Sequence, residues 1–121
     1  KTVLEQILHP KVVSEERRFY EEIRARDSKA IVVIDAALLI ESGNYLNMDK
    51  IVVVGCDEEI QIQRLAKRGV WARDEIVKRL RTQMKFEEKI KFAHYVIVND
   101  STVEQLRCRI DALFAELKSL A

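Results

Sequence analysis

The chain has 121 residues, 48% of them hydrophobic, and carries 21 Lys+Arg against 20 Asp+Glu. That is enough for one compact core, and the near-neutral balance excludes a general polyanion binder, so no nucleic-acid partner is expected. Cys56 and Cys108 are too few for a disulfide scaffold and lack metal-ligand spacing, and no apolar run is long enough to span a bilayer. Together these point to a reducing, cytoplasmic setting without a membrane partner.

In chain order, Leu4, Ile7 and Leu8 predict a short helix that stops near His9-Pro10, because proline disfavours the α conformation at the residue before it. A charged helix over residues 11–27 follows, with Val12, Val13, Phe19, Tyr20 and Ile23 as its apolar positions. Asp27-Ser28-Lys29 ends it before a strand at 30–35. Gly43-Asn44 marks a turn, and a second strand occupies 50–54. Asp57 is placed to cap the next helix, whose buried side takes Ile60, Ile62, Leu65 and Ala66, with Gly69 as the exit.

A helix over 73–83 restarts near 84–86 and continues to 92, and residues 95–98 form the third strand. Ser101, Thr102, Val103 and Glu104 fit a capping box before a final helix with Leu106, Ile110, Leu113, Phe114 and Leu117 at helical spacing. Apolar strands separated by helices predict a three-layer α/β fold with three principal parallel strands covered on both faces. Residues 1–121 read as one domain with a helical lid over 61–92.

Asp35 follows IVVI and so falls at a strand's C-terminal end, where open α/β sheets gather ligands. A carboxylate there suits a Mg²⁺-bound water beside phosphoryl groups, a helix cap or a partner for a nearby basic residue. Glu41 fits loop solvation or an ion pair better than metal binding. Gln61, Arg64 and Arg68 share one helical face, and Arg73, Lys78, Arg79, Arg81 and Lys85 extend its positive charge. Guanidinium groups at such spacing serve a phosphoryl-transfer site or a solvated face paired with carboxylates. Phe86, Phe92 and Tyr95 read as packing residues.

The ordered segments ILHPKV (7–12), VVIDAALLIESG (32–43), MDKIVVV (48–54), EEIQIQRLAKR (58–68), DEIVKRLRTQM (74–84) and EEKIKFAHYVIVND (87–100) resemble the dephospho-coenzyme A kinase family over essentially the whole chain. The resemblance implies a partial phosphate-loop-kinase-like domain with a mostly parallel sheet. It also implies transfer of the ATP γ-phosphate, with Mg²⁺, to the ribose 3′-hydroxyl of dephospho-coenzyme A.

Within the resemblance, Arg64 matches the lid arginine of a Q-x-x-R pattern and Arg68 the basic residue one turn later. Asp35 to Glu41 match D-x-P-L-L-x-E, with Ala37 in place of proline. Asn99 matches the loop beside adenine, with His94 in place of an acidic residue; an Asn99 that only shapes the turn fits equally well. His9 and Pro10 match the acceptor side, although His9 also suits a helix-end hydrogen bond. Gln83 and Lys89 fall in the resembling helical region, serving ligand contact or surface support.

The family's glycine-rich phosphate loop and acceptor-activating acid have no match in these residues, and no GxxxxGK[ST] occurs. The resemblance therefore implies an active parent and an inactive 121-residue chain, with the strands at 31–35 and 51–54 left as unpaired inner edges or the sheet closed by rearrangement, by self-association with another chain, or by complementation from a further segment. The alternatives are a noncatalytic structural or interaction fragment of this fold, or another nucleotide kinase.

Overall fold

A computed structural model describes residues 2–120, with side chains from Pro10 onward. The first element, α1 (Thr2–Arg26), runs through Pro10 instead of stopping there. Proline removes one backbone donor and disfavours a helix interior by about 3 kcal/mol relative to alanine. Beyond it the sequence is rich in helix formers, and Arg18 bridges Glu15 at 3.2 Å and Glu22 at 3.9 Å. The helix ends as expected at Asp27, whose N–H donates to the Ile23 carbonyl and whose carboxylate accepts from the Lys29 N–H at 2.9 Å.

The chain divides into two compact units, one taking residues up to Ala37 together with those from Ala115 onward, the other Leu38–Phe114. In the first, residues 31–35 join no strand ladder among the described residues, and Val33 is 80% exposed. The apolar run suits a strand, but a strand exists only where a neighbour accepts its hydrogen bonds. The expected three-strand sheet is therefore a two-strand one.

In the second unit, residues 38–43 turn through Gly43, which has φ +81°, into a 3₁₀ turn at Asn44–Asn47. Then come β1 (Val52–Gly55), α2 (Glu58–Lys67), α3 (Arg73–Leu80), α4 (Phe86–Lys89), a 3₁₀ turn at Ile90–Phe92, β2 (Tyr95–Val98) and α5 (Val103–Leu120), whose last residues enter the first unit. The two strands are parallel, with Val52 opposite Tyr95 and Gly55 opposite Val98. Their register is pinned just before the ladder: the Ile51 N–H donates to His94 Nδ1 at 3.0 Å, and the Ile51 carbonyl accepts from the His94 N–H at 2.9 Å. An accepting Nδ1 places the imidazole proton on Nε2.

Ile40, Ile51 and Val53 form the core on one side of the sheet, with Tyr45, Met48, Met84, Phe86 and Phe92 packed on them. Tyr45 and Phe92 meet edge to face, 5.1 Å between centroids. Gly55 has no side chain because the Phe86 ring lies against it. Elsewhere Ile62 on α2 and Ile76 on α3 are buried, and the two helices pack together.

Local signals are mostly right in place and sometimes wrong in detail. Asp57 precedes α2, but its carboxylate makes no capping hydrogen bond, and Ala66 is exposed. Gly69 takes φ +71° at the exit, as expected. α3 stops at Leu80, before the expected 83, where the Thr82 hydroxyl donates to the Arg79 carbonyl at 2.7 Å and competes with the helical bonding pattern. The cap of α5 is Thr102, one residue after Ser101. Its hydroxyl accepts from the Gln105 N–H at 3.2 Å, and its carbonyl accepts from the Leu106 N–H. Ile110 and Phe114, expected inside, are about half exposed.

Candidate functional site

Parallel strands bring their C-terminal ends to the same edge, and here that edge is held by side chains. The Asn99 N–H donates to the Gly55 carbonyl at 2.8 Å, carrying the pairing one residue past β2. From α2, Gln61 Nε2 donates to the Cys56 carbonyl at 2.9 Å. One turn later Arg64 Nη1 donates to the Asn99 carbonyl, and lies 3.9 Å from Cys56 Sγ. From α5, Arg109 Nη1 donates to the Val98 carbonyl and lies 3.4 Å from Asp100 Oδ1. Three strand-end carbonyls that the ladder leaves over thus find donors on two helices.

Cys56 is 4% exposed at the centre of this arrangement. Burial pushes its thiol pKa up and Arg64 pulls it down, while the carboxylates of Asp57 and Asp100 add to the rise. The group is therefore a neutral packing thiol and not an activated nucleophile.

Beside it opens a cavity of about 230 Å³, bounded by Gly55, Cys56, Gln61, Gln83, Lys85 and Phe86 among others. Glu41, distant in sequence, is tied to this segment by two contacts: its carboxylate accepts from the Met84 N–H at 3.4 Å and lies 3.7 Å from Lys89 Nζ, both side chains largely covered. Of the roles open to Glu41, the structure shows the ion pair.

Arg64 and Asn99 are therefore brought together through the Asn99 backbone carbonyl. Arg68 sits at the C-cap of α2 and is exposed. Arg73 grips both Glu59 oxygens at 3.0 and 2.9 Å, and that hydrogen bonding holds the Glu59 carboxyl below its usual range. Arg79 pairs with Glu75 at 3.2 Å and lies over the Trp71 ring, 4.2 Å from its centroid. These two cations have carboxylate partners, as a solvated face would.

Asp35 and Pro10 belong to the other unit, both exposed, and the His9 side chain lies outside the described residues. Among the described residues no three His, Cys, Asp or Glu side chains gather to hold a metal ion, and no helix is long and apolar enough to cross a membrane. Arg109 escaped the sequence reading. Its only advance signal was a cation two turns into the helix that follows a strand end.

A parallel strand pair joined through helices, with arginine and amide donors gathered at its C-terminal edge, defines an α/β protein of the phosphate-loop-kinase type. The family model described as dephospho-CoA kinase matches residues 1–105, and the chain belongs to that family. It is 39% identical over 114 residues to the dephospho-CoA kinase of Syntrophus aciditrophicus, covering 94% of this chain and 48% of that protein. It is 34% identical over 116 residues to the one from Chlorobaculum tepidum, covering 94% and 54%. The solved dephospho-CoA kinase from Campylobacter jejuni superposes with a TM-score of 0.64 at 26% identity, over 98% of this chain and 58% of that one. The chain spans about half the length of the relatives it matches.

Proposed function

We propose that the full-length protein containing these residues is an ATP- and Mg²⁺-dependent dephospho-coenzyme A kinase, phosphorylating the ribose 3′-hydroxyl of its acceptor. The observation that carries this reading is Arg64, fixed on α2 with its guanidinium at the joint end of both strands in a chain of this family. One Nη1 bond to the Asn99 carbonyl leaves further N–H donors on a planar fork that matches phosphate oxygens. In phosphoryl transfer the charge spreads over the equatorial oxygens of the moving group, so a prepositioned guanidinium lowers the barrier without reorganising.

Arg68, one turn on and exposed, adds a second cation for the same phosphates. Asn99 sits beside the base of the nucleotide. Residues 61–92 act as the lid, with Gly69 as a bend between its helices. His9 and Pro10 serve the acceptor side. Asp35 has an exposed carboxylate, which suits Mg²⁺ held through water, since that ion keeps several waters and takes one or two carboxylates alongside substrate phosphates. When bound, Mg²⁺ supplies charge neutralisation. The free thiols Cys56 and Cys108 suit a cytoplasmic protein.

These 121 residues contain no GxxxxGK[ST] loop, so the cradle for the donor phosphates and the base for the acceptor hydroxyl are assigned to the rest of the protein. The test is incubation of the full-length protein with ATP, Mg²⁺ and dephospho-coenzyme A, with the product located by phosphorus NMR. A new phosphomonoester on the ribose 3′-oxygen supports the assignment. A folded protein that gives none, or that prefers a nucleoside monophosphate, sinks it.

A further inference from the structure

We propose that Arg109 is a positioning residue for the nucleotide donor, acting through the backbone of Asn99; this rests on the kinase reading above. Asn99 is bounded by two peptide groups, and the structure holds both. The peptide preceding it has its N–H on the Gly55 carbonyl at 2.8 Å and its carbonyl, that of Val98, on Arg109. The peptide following it has its carbonyl on Arg64. With both planes pinned, the two backbone dihedrals of Asn99 are set, and the direction of its side chain follows.

The three holds come from three different elements, β1, α2 and α5. Only Arg109 ties the last helix to the strand end by a side chain in this way among the bonds described. Among the hydrogen bonds described, Arg109 is the donor to the Val98 carbonyl, which points away from β1 because the alternation of a parallel ladder turns Tyr95 and Asn99 toward that strand instead.

Arg109 has a second effect. Its guanidinium lies 3.4 Å from Asp100, 41% and 44% exposed on the two side chains. Without it a bare carboxylate stands one residue from Asn99, at the edge where an anionic donor arrives. Loss of Arg109 therefore weakens ATP twice, by loosening Asn99 and by unmasking Asp100. Neither effect touches the acceptor.

The experiment uses the full-length protein with Arg109→Ala, Arg109→Lys, Asp100→Asn and the Arg109→Ala/Asp100→Asn pair. Direct titration with ATP and with GTP measures affinity without needing the acceptor, and steady-state assays and thermal melts follow. Loss of one charge-assisted hydrogen bond predicts that Arg109→Ala weakens ATP about 10-fold or more. The expected pattern also has kcat and the acceptor KM within about twofold of wild type, on the scale of half a kcal/mol. The preference for ATP over GTP narrows in Arg109→Ala, Arg109→Lys recovers most of the affinity, and the double variant recovers the part due to Asp100.

The proposal is overturned if Arg109→Ala binds ATP as wild type does, if Arg109→Lys is no better than Arg109→Ala, or if every parameter falls in step with the melting temperature. The two readings fail separately. A protein that shows this ATP pattern but no transfer to dephospho-coenzyme A loses the kinase assignment and keeps the role of Arg109; one that binds no ATP loses both.

Discussion

Replacing Gly55 with alanine tests the packing that shapes the cavity wall. A Cβ built there lies 2.5 Å from Phe86 Cδ1 and 2.8 Å from Cε1 and Cγ. Carbon atoms rest at about 3.5–4.0 Å, so the ring must retreat by about 1 Å. Toward Ile40, Ile51 and Val53 it has little room, because Phe86 packs on that cluster. Overpacking of this kind costs about 1–3 kcal/mol, and the reduced freedom of the unfolded chain returns about 0.4–1 kcal/mol. The net loss is about 1–2 kcal/mol, or about 2–8 °C in melting temperature at the 2–4 °C per kcal/mol typical of a domain of 150–250 residues.

Urea unfolding of the full-length protein measures the loss directly, and Phe86→Leu supplies the control. If the ring is the obstacle, Gly55→Ala costs less in the Phe86→Leu background than alone, a coupling of at least about 0.5 kcal/mol. Additive losses, or a Gly55→Ala protein as stable as wild type, would refute the clash.

With the role proposed for Arg64 on the transferring phosphate, Arg64→Ala is expected to lower kcat of the full-length protein about 10²–10³-fold, with Arg64→Lys restoring only part because an ammonium lacks the planar fork; a kcat within threefold of wild type would remove Arg64 from the chemistry. The Glu59 carboxyl is lowered from its ordinary 4.5 by the Arg73 hydrogen bond, so its contribution to stability is present above that value and lost as pH falls through the folded one. The melting difference between wild type and Glu59→Gln should therefore be seen at pH 7 and vanish in acid; a difference that grows in acid contradicts the sign. Iodoacetamide at neutral pH should label exposed Cys108 well before buried Cys56, read by peptide mass, with Cys56 reacting once denaturant is added; equal labelling of the two would show that the strand-end edge opens freely.

What the sequence made legible was whatever depended on neighbours in the chain. β2 fell where its apolar run lies, β1 within one or two residues of it, and Gly69 ended its helix because only glycine takes that backbone cheaply. Residues 31–35 carry the same local signal as β1, yet form no ladder, since pairing belongs to two segments and not one. Pro10 shows the reverse: a local breaker outweighed by the helix on either side of it. At the site, spacing put Arg64 on one helical face with Gln61 and left its role open; the family resemblance singled it out, and the structure places it at the strand ends. Arg109 was not singled out, because its acceptor is a backbone carbonyl, and a carbonyl leaves no mark on residue identity. The Glu41–Lys89 pair was open in outline but unnamed in partner, being far apart in sequence.

The parallel register has a consequence for how the protein comes into being. Ile51 and His94 are 43 residues apart, with three helices strung between them. Closing a loop of that length costs about 3 kcal/mol in chain entropy before any strand bond is made. Helices α2 and α3 can form early from local contacts, but Arg64 has no Asn99 to meet until the distant strand arrives. The site is thus assembled by the slowest class of contact in this unit, and recovery of the nucleotide binding proposed for the full-length protein should lag behind recovery of helical signal during refolding.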